Sequence, residues 1–145
     1  MASFVYDAAQ HFLQIDGIPI QGFQDGSDIT IEFDEDAMTR QVDTDGRNVV
    51  FNRSNNYLAT VTFTLNEGAA ANDDLTAIYQ AFRSGNGGIV PMFFKDNNGR
   101  SVAQTDACTI QSMPSLGGGR ESAGREWTIG TGQLEMFVGG AEAAI

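Results

Sequence analysis

Two stretches of the chain alternate apolar and polar residues with a period of two. In residues 28–33, Ile29, Ile31 and Phe33 share one side, and Asp28, Thr30 and Glu32 share the other. In residues 57–65, Tyr57, Ala59, Val61, Phe63 and Leu65 alternate with Leu58, Thr60, Thr62 and Thr64. That period predicts strands with one dry and one wet face. Threonine keeps strand propensity while staying hydrophilic, so Thr30, Glu32, Thr60, Thr62 and Thr64 are candidates for a hydrophilic inner wall, with plain solvent exposure as the alternative. A different period follows: Leu75, Ile78, Tyr79 and Phe82 recur at i, i+3, i+4 and i+7, which predicts one helix over 72–84. Asn72 is its expected N-cap, Asp73 and Asp74 suit its positive end, and Gly85 is placed to close it.

Between the β-prone runs stand Asp16-Gly17, Asp25-Gly26, Asp45-Gly46 and Asn98-Gly99. Repeated turns of this kind predict an antiparallel meander, because parallel strands would need crossover helices. Residues 113–125 are Gly-rich and poor in apolar side chains, and are expected to be a mobile loop. Strand resumes over 126–138, where apolar parity changes from Trp127 and Ile129 to Leu134, Met136 and Val138. A bulge at Gly130-Thr131-Gly132 would reconcile the two halves.

The stretch 34–56 stands apart. Asp45-Gly46 suits a type I′ turn, with flanks 39–44 and 47–52 long enough to pair. Met38, Val42, Val49, Val50 and Phe51 are its sizeable apolar side chains, and an isolated hairpin is marginal in water. It is read as a projecting arm made for a neighbouring subunit. Val49, Val50 and Phe51 are its apolar anchors, Arg40, Arg47 and Arg53 its cations, and Val42, Asp45 and Gly46 complete it. An ordinary surface hairpin is the alternative.

At 145 residues, one domain spanning 1–145 is the expectation, large enough to bury about 70% of its unfolded surface without staples. The net charge is −11 and it is uneven: residues 1–46 hold ten carboxylates against the single cation Arg40, and residues 47–145 hold nine against seven cations. Nucleic-acid binders cluster Lys and Arg against phosphate, so this balance repels a polyphosphate rather than wrapping it. No apolar run is long enough to span a membrane, and the start MASFVYDAAQ has the marks of no secretory signal. A single cysteine, Cys108, forms no intrachain disulfide and fits a reducing compartment.

Candidate chemistry is sparse. His11 and Cys108 are the sole residues of their types, and Cys108 reads as core rather than nucleophile. Asp34, Glu35 and Asp36 read as solvated acids rather than a cation site. Asp43-x-Asp45-Gly46 fails as a calcium loop, since Gln41 and Asn52 occupy the first and last ligand positions. The GGGRES stretch from Gly117 lacks the lysine of a phosphate loop. No catalytic residue, metal ligand or cofactor is expected, and the chain is not read as an enzyme.

The order of parts runs IDGIPIQGFQDGSDITIEF, then QVDTDGRNVVF, RSNNYLATVTFTL and ANDDLTAIYQAF, then further strands. In that order the chain resembles the tail-tube proteins of tailed bacteriophages, above all the small tube proteins of contractile tails. The resemblance implies a mainly β fold, an antiparallel β-sandwich or half-barrel with one flanking α-helix and a long hairpin arm. It implies hexameric rings stacked into a tube in the virion tail, assembled in the host bacterial cytoplasm, with a negative lumen that conducts DNA without binding it. Sheath, baseplate or initiator, and terminator proteins are the implied partners. A tube subunit of a contractile injection or secretion system is the alternative within the same architecture. A monomeric β-sandwich binding or capsid-decoration module is the alternative outside it.

Overall fold

A computed structural model describes residues 11–23, 29–96, 100–119 and 124–140. The expected turns at Asp25-Gly26 and Asn98-Gly99 lie outside them, as do Asp28 and part of the Gly-rich segment. The described residues form ten strands and one helix. In chain order these are β1 (His11–Ile15), β2 (Ile18–Pro19), β3 (Thr30–Phe33), β4 (Met38–Val42), β5 (Val49–Arg53), β6 (Ala59–Asn66), α1 (Ala71–Arg83), β7 (Val90–Asp96), β8 (Val102–Ser112), β9 (Gly124–Thr131) and β10 (Glu135–Phe137). The main sheet runs β2-β1-β7-β8-β9-β6-β3, with β10 added to β8, and β4-β5 make a separate two-stranded sheet. All strand pairings among the described residues are antiparallel, and short connections join the neighbours β1-β2, β4-β5 and β7-β8.

The eleven residues of β8 organise the sheet. Its first half pairs with β7 on one side and β10 on the other, and its second half pairs with β9. Between the halves the register with β7 shifts, from Met92 opposite Thr105 to Val90 opposite Cys108. A second shift with β9 falls between Ile110 and Ser112. Extra residues on one strand bend it and sharpen its twist. The sheet therefore closes over its own dry face, and one core cluster unites Leu13, Ile15 and Met92 with Val61, Phe63 and Ile129. Full burial of each such side chain contributes about 1.5–3 kcal/mol.

The parity change expected as a bulge at Gly130 has another origin. Strand β9 ends at Thr131, and the chain turns through Gly132 and Gln133 before β10 begins on a different partner. Thr105 pins that corner: its hydroxyl donates to Gln133 O at 2.8 Å, while Gly132 N–H donates to Ala107 O at 2.8 Å. The alternation of β6 holds from Ala59 to Leu65. Tyr57 lies before the strand and is 47% exposed, because the sheet offers no cover there.

Helix α1 packs Ala71, Leu75 and Ile78 into the core, and its last expected contact, Phe82, stays exposed. Its C-terminus closes with two linked bonds, Asn86 N–H to Ala81 O and Gly85 N–H to Phe82 O, with Gly85 at φ +81°. These are the bonds of a Schellman motif. The N-cap is Ala70, not Asn72, and no side chain caps the helix. Asn72 lies inside the first turn, where its amide donates to Asn66 O at 2.9 Å and its Oδ1 accepts the indole N–H of buried Trp127 at 2.9 Å. The polar residue that looked like a cap is a bracket between helix and sheet.

Replacing Asn72 with Leu would leave the Trp127 indole N–H without an acceptor in the core. The expected cost is about 1–3 kcal/mol, read as a lower urea midpoint with an unchanged slope. Asn72→Asp keeps an acceptor for the indole but loses the amide donor to Asn66 O and Glu67 O, so it is expected to recover part of that loss. Equal losses in the two variants would show that the indole bond is not what matters.

Candidate assembly surfaces

The arm is the outer half of one long hairpin. Its inner half is β3 paired with β6, where Phe33 faces Ala59 and Asp34 N–H donates to Leu58 O at 3.0 Å. Beyond a short interruption the pairing resumes as β4 with β5, entered by Ser54 N–H donating to Ala37 O at 2.9 Å. The root is held by Thr60 Oγ1 donating to Asp34 Oδ1 at 2.7 Å and by the Ser54 hydroxyl donating to Glu35 Oε2 at 3.3 Å. All ten residues of β4 and β5 are exposed.

The tip is not the expected two-residue turn. The last ladder pair is Val42 with Val49, and a further bond joins Asp43 N–H to Asn48 O at 3.0 Å, leaving four residues in the loop. Gly46 has φ +71° and its N–H donates to Asp43 O at 2.8 Å, but Asp45 does not share a positive φ. The Asn48 amide donating to Asp43 Oδ2 at 2.8 Å stabilises this wider loop. The both-positive turn occurs instead at Asp16-Gly17, φ +54° and +76°, where Ile15 faces Ile18 across two residues. Loop length, set by the pairing on either side, selects the turn type.

Register sorts the arm into two unlike faces. Met38 faces Arg53, Arg40 faces Phe51 and Val42 faces Val49, so these six share one face. Thr39, Asn52, Gln41 and Val50 share the other. Val50 is thus separated from Val49 and Phe51, with which it had been grouped as an anchor. Phe51 is 66% exposed and Val42 62%, with two guanidinium-bearing residues and no carboxylate on their face. Arg47, Asp45 and Gly46 belong to the tip.

The five wall candidates fall on one face of two adjacent strands. Thr30 stands opposite Thr62, and Glu32 opposite Thr60. Strand β9 extends the rows, with Thr128 opposite Thr62 and Glu126 opposite Thr64, and β8 adds Thr109 beside Gly130. Glu126 and Thr128 were absent from the sequence reading, although their alternation with Trp127 and Ile129 carries the same signal. The result is a threonine face bearing Glu32 and Glu126, with Asp34 at its margin.

The titratable residues stay scattered. His11 pairs with Asp96 at one end of β7, Nε2 to Oδ1 3.5 Å, and Cys108 pairs with Val90 at the other end. Six residue steps along β7 separate the two positions, about 20 Å, so Cys108 and His11 make no catalytic pair. Asp34 and Glu35 turn to different partners. Among the described residues no group of three or more His, Cys, Asp or Glu side chains is placed to hold a metal ion. No helix among them is long and apolar enough to cross a membrane.

No family profile matches the chain. One curated protein is similar over most of its length: structural protein ORF10 of Pseudomonas phage KPP10 is 30% identical over 124 residues, covering 83% of this chain and 70% of that protein. Among solved structures, a chain of the anti-feeding prophage cap, which terminates the AFP tube, superposes with a TM-score of 0.63 at 12% identity, covering 94% of this chain and 93% of that one. A chain from the tail of an empty gene transfer agent particle, refined with C6 symmetry, gives 0.62 at 15% identity, covering 92% and 100%.

Cys108 is buried, and desolvation first, with the Asp16 carboxylate second, pushes its thiol from the ordinary 9.0 up to about 12. A raised folded-state value makes the protonated thiol a stabilising state. That contribution is fully present below pH 9 and is lost as pH climbs towards 12. The native protein is expected to resist thiol-modifying reagents at pH 8 and to react once unfolded. Its unfolding free energy should fall more steeply between pH 9 and 12 than that of Cys108→Ala, measured side by side in urea. Parallel curves would remove the thiol from the alkaline response.

Proposed function

Because the chain belongs to the family of phage structural proteins that includes ORF10 of Pseudomonas phage KPP10, we propose that it is a tail-tube subunit. In this reading residues 1–145 act as one unit, six copies close a ring, and rings stack into the tube of a virion tail. The observation that carries it is the exposed arm rooted on an edge of the sheet: β3 ends the strand order, and the whole of β4-β5 projects beyond it. An open edge pairs with another chain unless something covers it, and ring closure removes it. The fold is shared with tube-terminating and tail structures, one of them six-fold symmetric.

The threonine face with Thr30, Glu32, Thr60, Thr62 and Thr64 lines the bore. Hydroxyls keep water in the channel, and Glu32 and Glu126 add negative charge that keeps a polyphosphate sliding rather than adhering. DNA is a passenger and makes no specific contact. Terminator and baseplate or initiator proteins cap the ends, and a contractile tail adds a sheath outside. Assembly takes place in the host bacterial cytoplasm. The likeness to the prophage cap favours one second reading, a tube or terminator subunit of a contractile injection system, in which the cargo differs and the ring does not.

Electron microscopy of purified protein at rising concentration is expected to show rings and tubes; a monomer at every concentration would remove the proposal. Deleting residues 39–52 with a Gly-Ser bridge should shift the melting temperature by no more than about 3 °C, since the arm buries little, yet stop polymerisation. Tubes of normal length from that variant would show the arm to be dispensable. Thr62→Lys should still form tubes but slow DNA passage during ejection by adhesion to phosphate; unchanged ejection would remove Thr62 from the bore.

A further inference from the structure

The wet side of the sheet changes character beyond β9. Across β1, β7, β8 and β10 the register builds two rows, Phe12–Lys95–Val102–Phe137 and Gln14–Phe93–Gln104–Glu135. Phe12 and Phe93 stand 6.4 Å apart between ring centroids. The second row opens into a groove that runs past Phe93 and Gln104 to Asp106 and Glu135, where the Gln104 amide donates to Glu135 Oε2 at 3.1 Å. Its lining includes two carboxylates and neither Lys nor Arg.

We propose that this groove receives the arm of a second copy of the chain, with the arm's apolar and cationic face turned inward. Phe51 and Val42 then lie against Phe93, and Arg40 and Arg53 meet Glu135 and Asp106. The proposal rests on the self-assembling reading above and names where the arm goes.

Charge complementarity carries it. Arg40 faces Phe51, and Arg53 lies two residues further along β5, so the two guanidinium-bearing positions form a diagonal pair. Glu135 faces Gln104, and Asp106 follows two residues further along β8, where the strand bends, so both carboxylates line the same hollow. A regular ladder diagonal spans about 7–8 Å, which is the interval of the arm's pair, and the two carboxylates share the lining of one hollow beside the bend of β8. Each has an aromatic beside it, Phe51 opposite Arg40 and Phe93 opposite Gln104. A guanidinium presents a planar fork suited to a carboxylate, which fixes the register of the docked arm. The groove of the same chain is not the occupant's seat, because Arg40, Phe51 and Arg53 remain exposed in the free subunit.

Charge reversal in pairs tests this. The variant Arg40→Glu with Arg53→Glu, and separately Asp106→Arg with Glu135→Arg, should each raise the protein concentration needed for tube formation at least about tenfold. The quadruple variant should return to within about threefold of the parent. A groove variant that assembles like the parent, or a quadruple variant no better than the worse pair, overturns the groove while leaving the tube reading intact. A parent protein that never assembles overturns the tube reading itself. A cross-link guards against misfolded variants: with Cys108→Ala as background, Phe51→Cys and Gln104→Cys should form a disulfide between copies in oxidised tubes. Tubes that oxidise without a dimer band on a denaturing gel overturn the proposal.

Discussion

A sheet with one dry face must have that face covered, and here the bend in β8 makes the sheet cover itself. Without the register shift between Thr105 and Cys108, Met92 and Ala103 would point away from Val61 and Ile129 rather than share a core with them. The helix closes what the bent sheet leaves open, and it is oriented by a polar bond as well as by packing. Buried Trp127 must place its indole N–H, and Asn72 in the first helical turn accepts it. Asn72 also ties the chain that enters the helix, through Asn66 and Glu67. One side chain thus connects β6, α1 and β9.

Closure of the core decides what remains for other molecules. The inward positions of β6 and β9 are used up, so the alternating positions of those strands must face out, and they are threonine and glutamate. The arm is rooted on the same pair of strands that carries this polar face. A load on the arm is therefore transmitted to β3 and β6, and from there to the Thr and Glu rows. This is the physical basis for proposing arm and wall as two parts of one assembly device.

Much of this was legible in the sequence where local pattern and tertiary demand agree. The alternation in β6 set its faces, and the spacing of Leu75 and Ile78 set the buried side of α1. The resemblance to phage tail-tube proteins holds at the level of a phage structural family and of the fold. The misses have a common cause, in that each depended on a partner distant in sequence. Asn72 has the chemistry of a cap, but Trp127 claims its side chain. Asp45-Gly46 has the chemistry of a tight turn, but the Asp43–Asn48 bonds widen the loop. Val49, Val50 and Phe51 are adjacent apolar residues, and only the pairing of β4 with β5 reveals that Val50 faces the other way. The change of parity after Ile129 looked local and is a switch of strand partner.

Charge is distributed unevenly between the arm and the rest of the chain. Each copy carries −11, so bringing copies together is opposed by a repulsion that grows with every addition. Over residues 38–53 the balance is reversed, with Arg40, Arg47 and Arg53 against Asp43 and Asp45. Asp43 is engaged with Asn48 at the tip, and the face that carries Phe51 holds Arg40 and Arg53 alone among charged residues. In the proposed tube, cations concentrated on a projecting element would meet a neighbour while the acidic bodies stay apart, and the acids would remain available to the bore. Contact through the arm would also confine salt sensitivity to one place, since screening at physiological ionic strength acts over about 8 Å. A tube subunit of the kind proposed, polymerising and still repelling a polyphosphate, would need its attractive charges segregated from its repulsive ones. This chain places them at opposite ends of a single hairpin, with Glu32 on its inner half and Arg40 on its outer half.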